Sequence, residues 1–142
     1  MAYTTLAKMA VIPPFLNSLI GLHAFNARKG HGSFVMFELT ASPESPEEKA
    51  YFRIDMCAWR ISEAGKELAH SESSGAEIKG AVSALNGRRL EGITLHEFIA
   101  QHRVSHGASL IFQDHLTFKL QQYDPGKAED AIFVSRNAAR VT

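Results

Sequence analysis

The stretch YFRIDMCAWRI, Tyr51 to Ile61, holds the chain's single cysteine and single tryptophan two positions apart. A cysteine acts as a nucleophile only where a base or a cationic setting lowers its pKa. No histidine adjoins Cys57 in the sequence, and a lone thiol most often behaves as a small buried hydrophobe. Cys57 is therefore read as structural. As one continuous strand, the stretch puts Phe52, Ile54, Met56 and Ala58 on one face and Tyr51, Arg53, Asp55, Cys57, Trp59 and Ile61 on the other. The first face is core. The second mixes Arg53 and Asp55 with aromatics, and two readings of it stay open. It is either a partner-binding surface anchored by Trp59 and Arg53, residue types enriched at interface hot spots, or a place where Trp59 is buried under a helix while Arg53 pairs with Asp55 or a neighbour.

The other chemical candidates are weaker. His96-Glu97-Phe98-Ile99-Ala100 begins like the zinc-protease helix, but Ala100 stands where the second histidine ligand must be. His102 and His106 are four apart beside His96, and the polar residues and Gly107 around them read as a solvated loop, so no metal is expected. KGHGS (Lys29–Ser33) fails as a phosphate loop, because a dinucleotide fingerprint from Gly30 would need glycine where Val35 stands. It also fails as a nucleophile elbow, since Ser33 has glycine only on its N-terminal side and none two residues after it. Its glycines suit a hairpin turn with His31 solvated at the tip. Glu38 and Asp55 could form a paired-carboxylate site only if adjacent strands brought them together, and an arginine partner for Glu38 is the simpler expectation. Arg88–Arg89, after the principal helix, suit the negative end of its dipole. No cofactor is implied.

Composition narrows the setting in which any of these could work. The chain has 142 residues, 45% hydrophobic and 21% charged, with 15 Lys plus Arg against 15 Asp plus Glu. That balance predicts one ordinary folded domain over 1–142. A net charge of zero supplies no long-range attraction for nucleic acid or an acidic membrane. One cysteine excludes an intramolecular disulfide and a multi-cysteine zinc site. The apolar N-terminus carries a lysine and two prolines and lacks a small-x-small cleavage pattern after Leu22. No stretch reaches the roughly 18 apolar residues of a membrane span, so the expected location is cytoplasmic.

The elements that would position these residues follow from periodicity. Residues 1–12 read as a loosely held arm, and Pro13–Ile20 as a short helix stopped by Gly21. Leu22–Arg28 and Ser33–Ala41 read as strands joined by the KGHGS turn, the second central because it is apolar on both sides. A proline-bearing loop over 41–49 leads into the Tyr51–Ile61 strand, EAGKE turns the chain, and LAHSES pairs back. Ser74 and Glu77 have capping-box spacing, and Ile78, Ala81, Val82 and Leu85 form one apolar stripe closed by Gly87. RRLEGITLHEF reads as a strand and IAQHRVSHG as a polar connection or short helical excursion. SLIFQD–HLTFKLQQY reads as a hairpin turning near Asp114–His115, and AIFVSR as the last strand. The fold class is α+β: a twisted, mainly antiparallel sheet with one principal helix packed on a face.

The segments KGHGSFVMFEL, MCAWRI, HSESSGAEIKGAVSALNGRRL and SLIFQDHLTFKL, in that order, resemble a family of small bacterial proteins. That family is similar to the immunity-type proteins found beside polymorphic toxins. The resemblance spans most of residues 16–123 and carries no catalytic motif. It implies an immunity-like binding module whose partner is a toxin-like protein; on the reading of the residues themselves, Arg53, Asp55 and Trp59 of the mixed strand face would meet that partner. The alternative is a small enzyme in which Cys57, Glu38 or Asp55 meets a histidine such as His31 from a distant segment. Open sheet edges also leave a homodimer as an option.

Overall fold

The computed structural model describes residues 4–5, 17–41, 50–55, 57–100, 103–122 and 131–136. Period-two alternation builds most of the elements: Val35, Phe37 and Leu39 are buried while Met36 and Glu38 between them are half-buried. In chain order the elements are β1 (Thr4–Thr5), β2 (His23–Lys29), β3 (Val35–Thr40), β4 (Ala50–Asp55), β5 (Cys57–Glu63), β6 (Lys66–His70), α1 (Gly75–Ser83), β7 (Leu90–Ala100), β8 (Arg103–Phe112), β9 (Leu116–Gln122) and β10 (Ala131–Arg136). The class is the expected α+β, with antiparallel pairing and one principal helix. The strands divide, however, between two sheets of five, in the orders β1-β10-β4-β3-β2 and β6-β5-β9-β8-β7.

Two connections tie the sheets together. One is the step from β4 to β5, where a single residue separates a strand of the first sheet from a strand of the second. The other lies along β2. Here Gly21 N–H donates to Leu90 O at 2.8 Å, Leu90 N–H to Leu22 O at 2.8 Å and Ala24 N–H to Arg88 O at 2.9 Å, so the approach to β7 continues the first sheet's edge. The two walls are therefore joined along the β2–β7 side and through the inner strands β4 and β5, and side chains fill the space between them. Phe37 and Phe52 of the first sheet stack at 4.8 Å between ring centroids. Phe37 also meets Phe112 edge-on at 6.1 Å and Phe118 at 6.3 Å, both from the second sheet.

The helix forms where its caps and stripe direct it. Ser74 accepts from the Glu77 amide at 3.2 Å, and Glu77 Oε1 accepts in return from the Ser74 amide at 3.3 Å, completing the capping box. Ile78, Ala81, Val82 and Leu85 are buried. This stripe lies against β2 and β6, one edge strand from each sheet. After it, Gly87 takes a φ of +84°, which the absence of a Cβ permits.

Several local expectations change. Leu19 is buried but Ile20 is 41% exposed, so the two do not share an inward face; the start of the helix expected at Pro13 lies outside the described residues. The IAQHRVSHG segment is no helical excursion. β7 runs on to Ala100 and pairs with Arg103 at the start of β8, which places Glu97 opposite His106 and His96 opposite Gly107. In the arm, Thr4 and Thr5 pair with Val134 and Phe133, while its other residues lie outside the described set. Arg88 and Arg89 follow α1 but pair elsewhere, Arg88 with Glu63 at 2.8 Å and Arg89 with Glu91 at 2.9 Å.

The turn between β5 and β6 holds Ala64 at φ +51° and Gly65 at φ +82°. Two-residue hairpins favour such a pair of positive values, yet an alanine there costs about 1–2 kcal/mol relative to glycine. Ala64→Gly is therefore expected to raise stability by about 0.5–1 kcal/mol once the freer unfolded chain is counted. Thermal unfolding reads the change, and Gly65→Ala should move the midpoint the opposite way.

Candidate functional site

Alternation across Tyr51–Ile61 breaks between its two strands. In β4 the even-numbered Ala50, Phe52 and Ile54 are buried, whereas in β5 the odd-numbered Trp59 and Ile61 are. Because the chain changes sheets, the parity that faces the core changes with it. The single mixed face that continuous alternation predicts is thereby divided. Arg53 is exposed on the outside of the first sheet. Trp59 is 3% exposed and belongs to the core. Asp55 ends β4 opposite Ala131 and Cys57 opens β5 opposite Gln122; the side chains of both lie outside the described residues.

Trp59 connects two of the segments singled out in the sequence. Its indole Nε1–H donates to Ser33 O at 2.8 Å, in the turn that follows β2. Its ring meets Phe118 edge-on at 5.6 Å. The backbone is held as well, with Ser71 N–H donating to Trp59 O at 2.9 Å and Trp59 N–H to Ser71 Oγ at 3.3 Å. A buried indole needs such a partner for its N–H, and the KGHGS carbonyl supplies it. The arrangement matches the reading in which Trp59 is internal, with β5, β9 and the β2–β3 turn around it.

What remains on the outside of the first sheet is a coherent patch. Register sets Phe25 opposite Glu38 and Glu38 opposite Tyr51, and in the next row Arg28 opposite Met36 and Met36 opposite Arg53. Phe25, Met36 and Tyr51 are half-buried, and Arg28 and Arg53 are exposed. The patch is shaped by a bulge in β2 between Phe25 and Arg28, where Asn26 takes φ +55°. Asn26 Nδ2 donates to Glu38 Oε2 at 2.9 Å, and Arg28 Nη1 donates to Asn26 O at 2.8 Å. Asparagine tolerates this backbone conformation better than most residues, so the bulge is anchored by its own side chain.

The enzyme alternative finds no assembled centre among the described side chains. Glu38 is committed to Asn26 on the outer face. His31 is exposed in the turn, edge-on to Phe34 at 6.5 Å. Among the described residues no group of three or more His, Cys, Asp or Glu is placed to hold a metal ion; His102 and the side chains of His96 and His106 lie outside that set. A hollow of about 420 Å³ does exist, on the outside of the second sheet. It is lined by Ala58, Arg60, His70, Glu72, Lys119 and Gln121. None of these stands out by motif or spacing. Their only sequence signal is that Arg60 and Lys119 each adjoin a core residue, Trp59 and Leu120, and so must point outward.

No protein-family model matches the chain, and no curated protein is significantly similar to it. No helix among the described residues is long and apolar enough to cross a membrane.

Proposed function

We propose that this protein is a non-enzymatic protein-binding module, immunity-like in neutralising a partner toxin, and that it binds through the outside of β2, β3 and β4. One observation carries the reading: two arginines, a methionine, a tyrosine and a phenylalanine occupy adjacent register positions on one outward face. Aromatic residues, Met and Arg are the types enriched where proteins meet, and Glu38, which stands among them, is held by Asn26. Arg53 is retained from the residues expected on the mixed strand face, and Tyr51, two positions before it on the same side of β4, joins it. Met36, Phe25 and Arg28 take the place of Trp59, whose indole serves the core. The toxin partner itself rests on the resemblance of the sequence segments.

The test begins with a photo-crosslinker at position 53 in the native host, followed by binding measurements on the purified partner. Arg53→Ala and Tyr51→Ala should each weaken binding by at least about tenfold, near 1.4 kcal/mol, at a temperature where both variants are fully folded. If the partner is a toxin, co-expression should restore growth with the native chain and not with the double variant. Unchanged affinity in both variants would remove the face from consideration.

A further inference from the structure

Strand register on the outside of the second sheet sets His70 opposite Arg60, and Arg60 opposite Lys119. Three nitrogen-bearing side chains thus stand side by side across β6, β5 and β9. Like charges placed directly opposite each other on a sheet destabilise it, so this row carries a cost. Glu67 offsets part of it, accepting from Arg60 Nε at 2.7 Å and lying 3.9 Å from His70 Nε2. Both side chains of the Arg60–Glu67 pair are largely open to solvent, at 61% and 41% exposure. The Nε contact leaves Arg60 its Nη1 and Nη2 groups as a fork of donors.

One outward position along β5 from Arg60 is Ala58, opposite Gln121. Its short side chain lines the hollow. Ser71 and Glu72, just beyond the end of β6, line it too. The site therefore has two levels, roughly 7 Å apart along the strand. The first offers Arg60 and Lys119, with His70 beside them accepting the Glu72 N–H on its Nδ1 at 3.1 Å; the second offers the Gln121 amide, and Glu72 also lines the hollow. At about 420 Å³ the hollow is within the range of small-molecule sites.

We infer that this hollow binds a small carboxylic acid that also carries a hydrogen-bond donor, of the amino-acid or hydroxy-acid class. A planar carboxylate matches the donor fork of Arg60, with Lys119 beside it. The ligand's ammonium or hydroxyl group meets Glu72 and Gln121. A phosphate dianion fits poorly, because Glu67 and Glu72 balance the two fixed cations and leave little net positive charge. This site lies on the other wall of the molecule from the β2–β4 face and does not depend on it.

Amide chemical-shift titration of the isotopically labelled chain tests the assignment, with glutamate, glutarate and inorganic phosphate as probes and a glutamate-rich hexapeptide as a separate arm. Glutamate should give saturable shifts confined to residues 58–60, 70–72 and 119–121, and should bind more tightly than glutarate, which lacks the donor. Lys119→Gln and Ala58→Leu should each weaken it by at least about tenfold, with the rest of the spectrum unchanged. Equal or tighter binding of the hexapeptide at the same amides would place the carboxylate on a peptide side chain; hexapeptide binding weaker than glutamate would place it on a free small molecule. No saturable shift up to about 20 mM glutamate, the same shifts in Ala58→Leu, or phosphate binding as tightly as glutamate would each overturn the inference.

Discussion

Replacing Trp59 with alanine should cost about 3–5 kcal/mol, the range for deleting a large aromatic side chain from a core. The indole is buried against Phe118, and its N–H is bonded to Ser33 O. The substitution empties that volume and leaves a carbonyl short of its donor. Trp59→Phe separates the two contributions, since it keeps most of the packing and loses the hydrogen bond, for a cost of about 1–2 kcal/mol. Urea unfolding of the three proteins measures both steps. As Trp59 is the chain's only tryptophan, its fluorescence should resist acrylamide in the folded protein and become quenchable on unfolding. Ready quenching under native conditions would contradict the internal placement.

Phe37→Ala should have an effect of comparable size, about 3–5 kcal/mol, for a different reason. Phe37 stacks on Phe52 within its own sheet and also reaches Phe112 and Phe118 across the interior. Its removal opens a cavity on the plane where the walls meet, flanked by strands that cannot collapse into it without breaking their ladders. A midpoint drop of roughly 10–17 °C is expected at this chain length. A double-mutant cycle with Phe52 isolates the stacked pair, for which a coupling of about 0.5–1.5 kcal/mol is expected. A coupling near zero would show that area, and not ring geometry, governs this part of the core.

The elements that sequence foretold well are those whose signals are local. The Ser74–Glu77 box, the Ile78-Ala81-Val82-Leu85 stripe and Gly87 each specify the helix within a few residues, and each is found in place. The β5–β6 and β8–β9 turns are likewise marked by Ala64-Gly65 and by Asp114–His115, both of which adopt positive φ. What failed was parity. Tyr51–Ile61 alternates as one strand by residue type, and nothing within it announces that Phe52 and Trp59 face a common interior from different sheets. That depends on which strands pair with each half, β3 and β10 with one and β6 and β9 with the other. Such pairing is set by contacts distant in sequence, so the outward row of Arg28, Met36 and Arg53 is invisible until the register is known. The hollow beside Ala58 is hidden for the same reason, because Arg60, His70 and Lys119 approach only through three strands.

The passage of one segment from wall to wall also constrains how the molecule comes apart. Ala50–Asp55 and Cys57–Glu63 supply an inner strand to each sheet, so pulling either ladder open transmits the strain along the backbone to the other. Local opening is expected at the rims, with deep amides in both walls exchanging through the same global event. A spine shared by both halves would make them open together, read as one common protection level for amides deep in each wall.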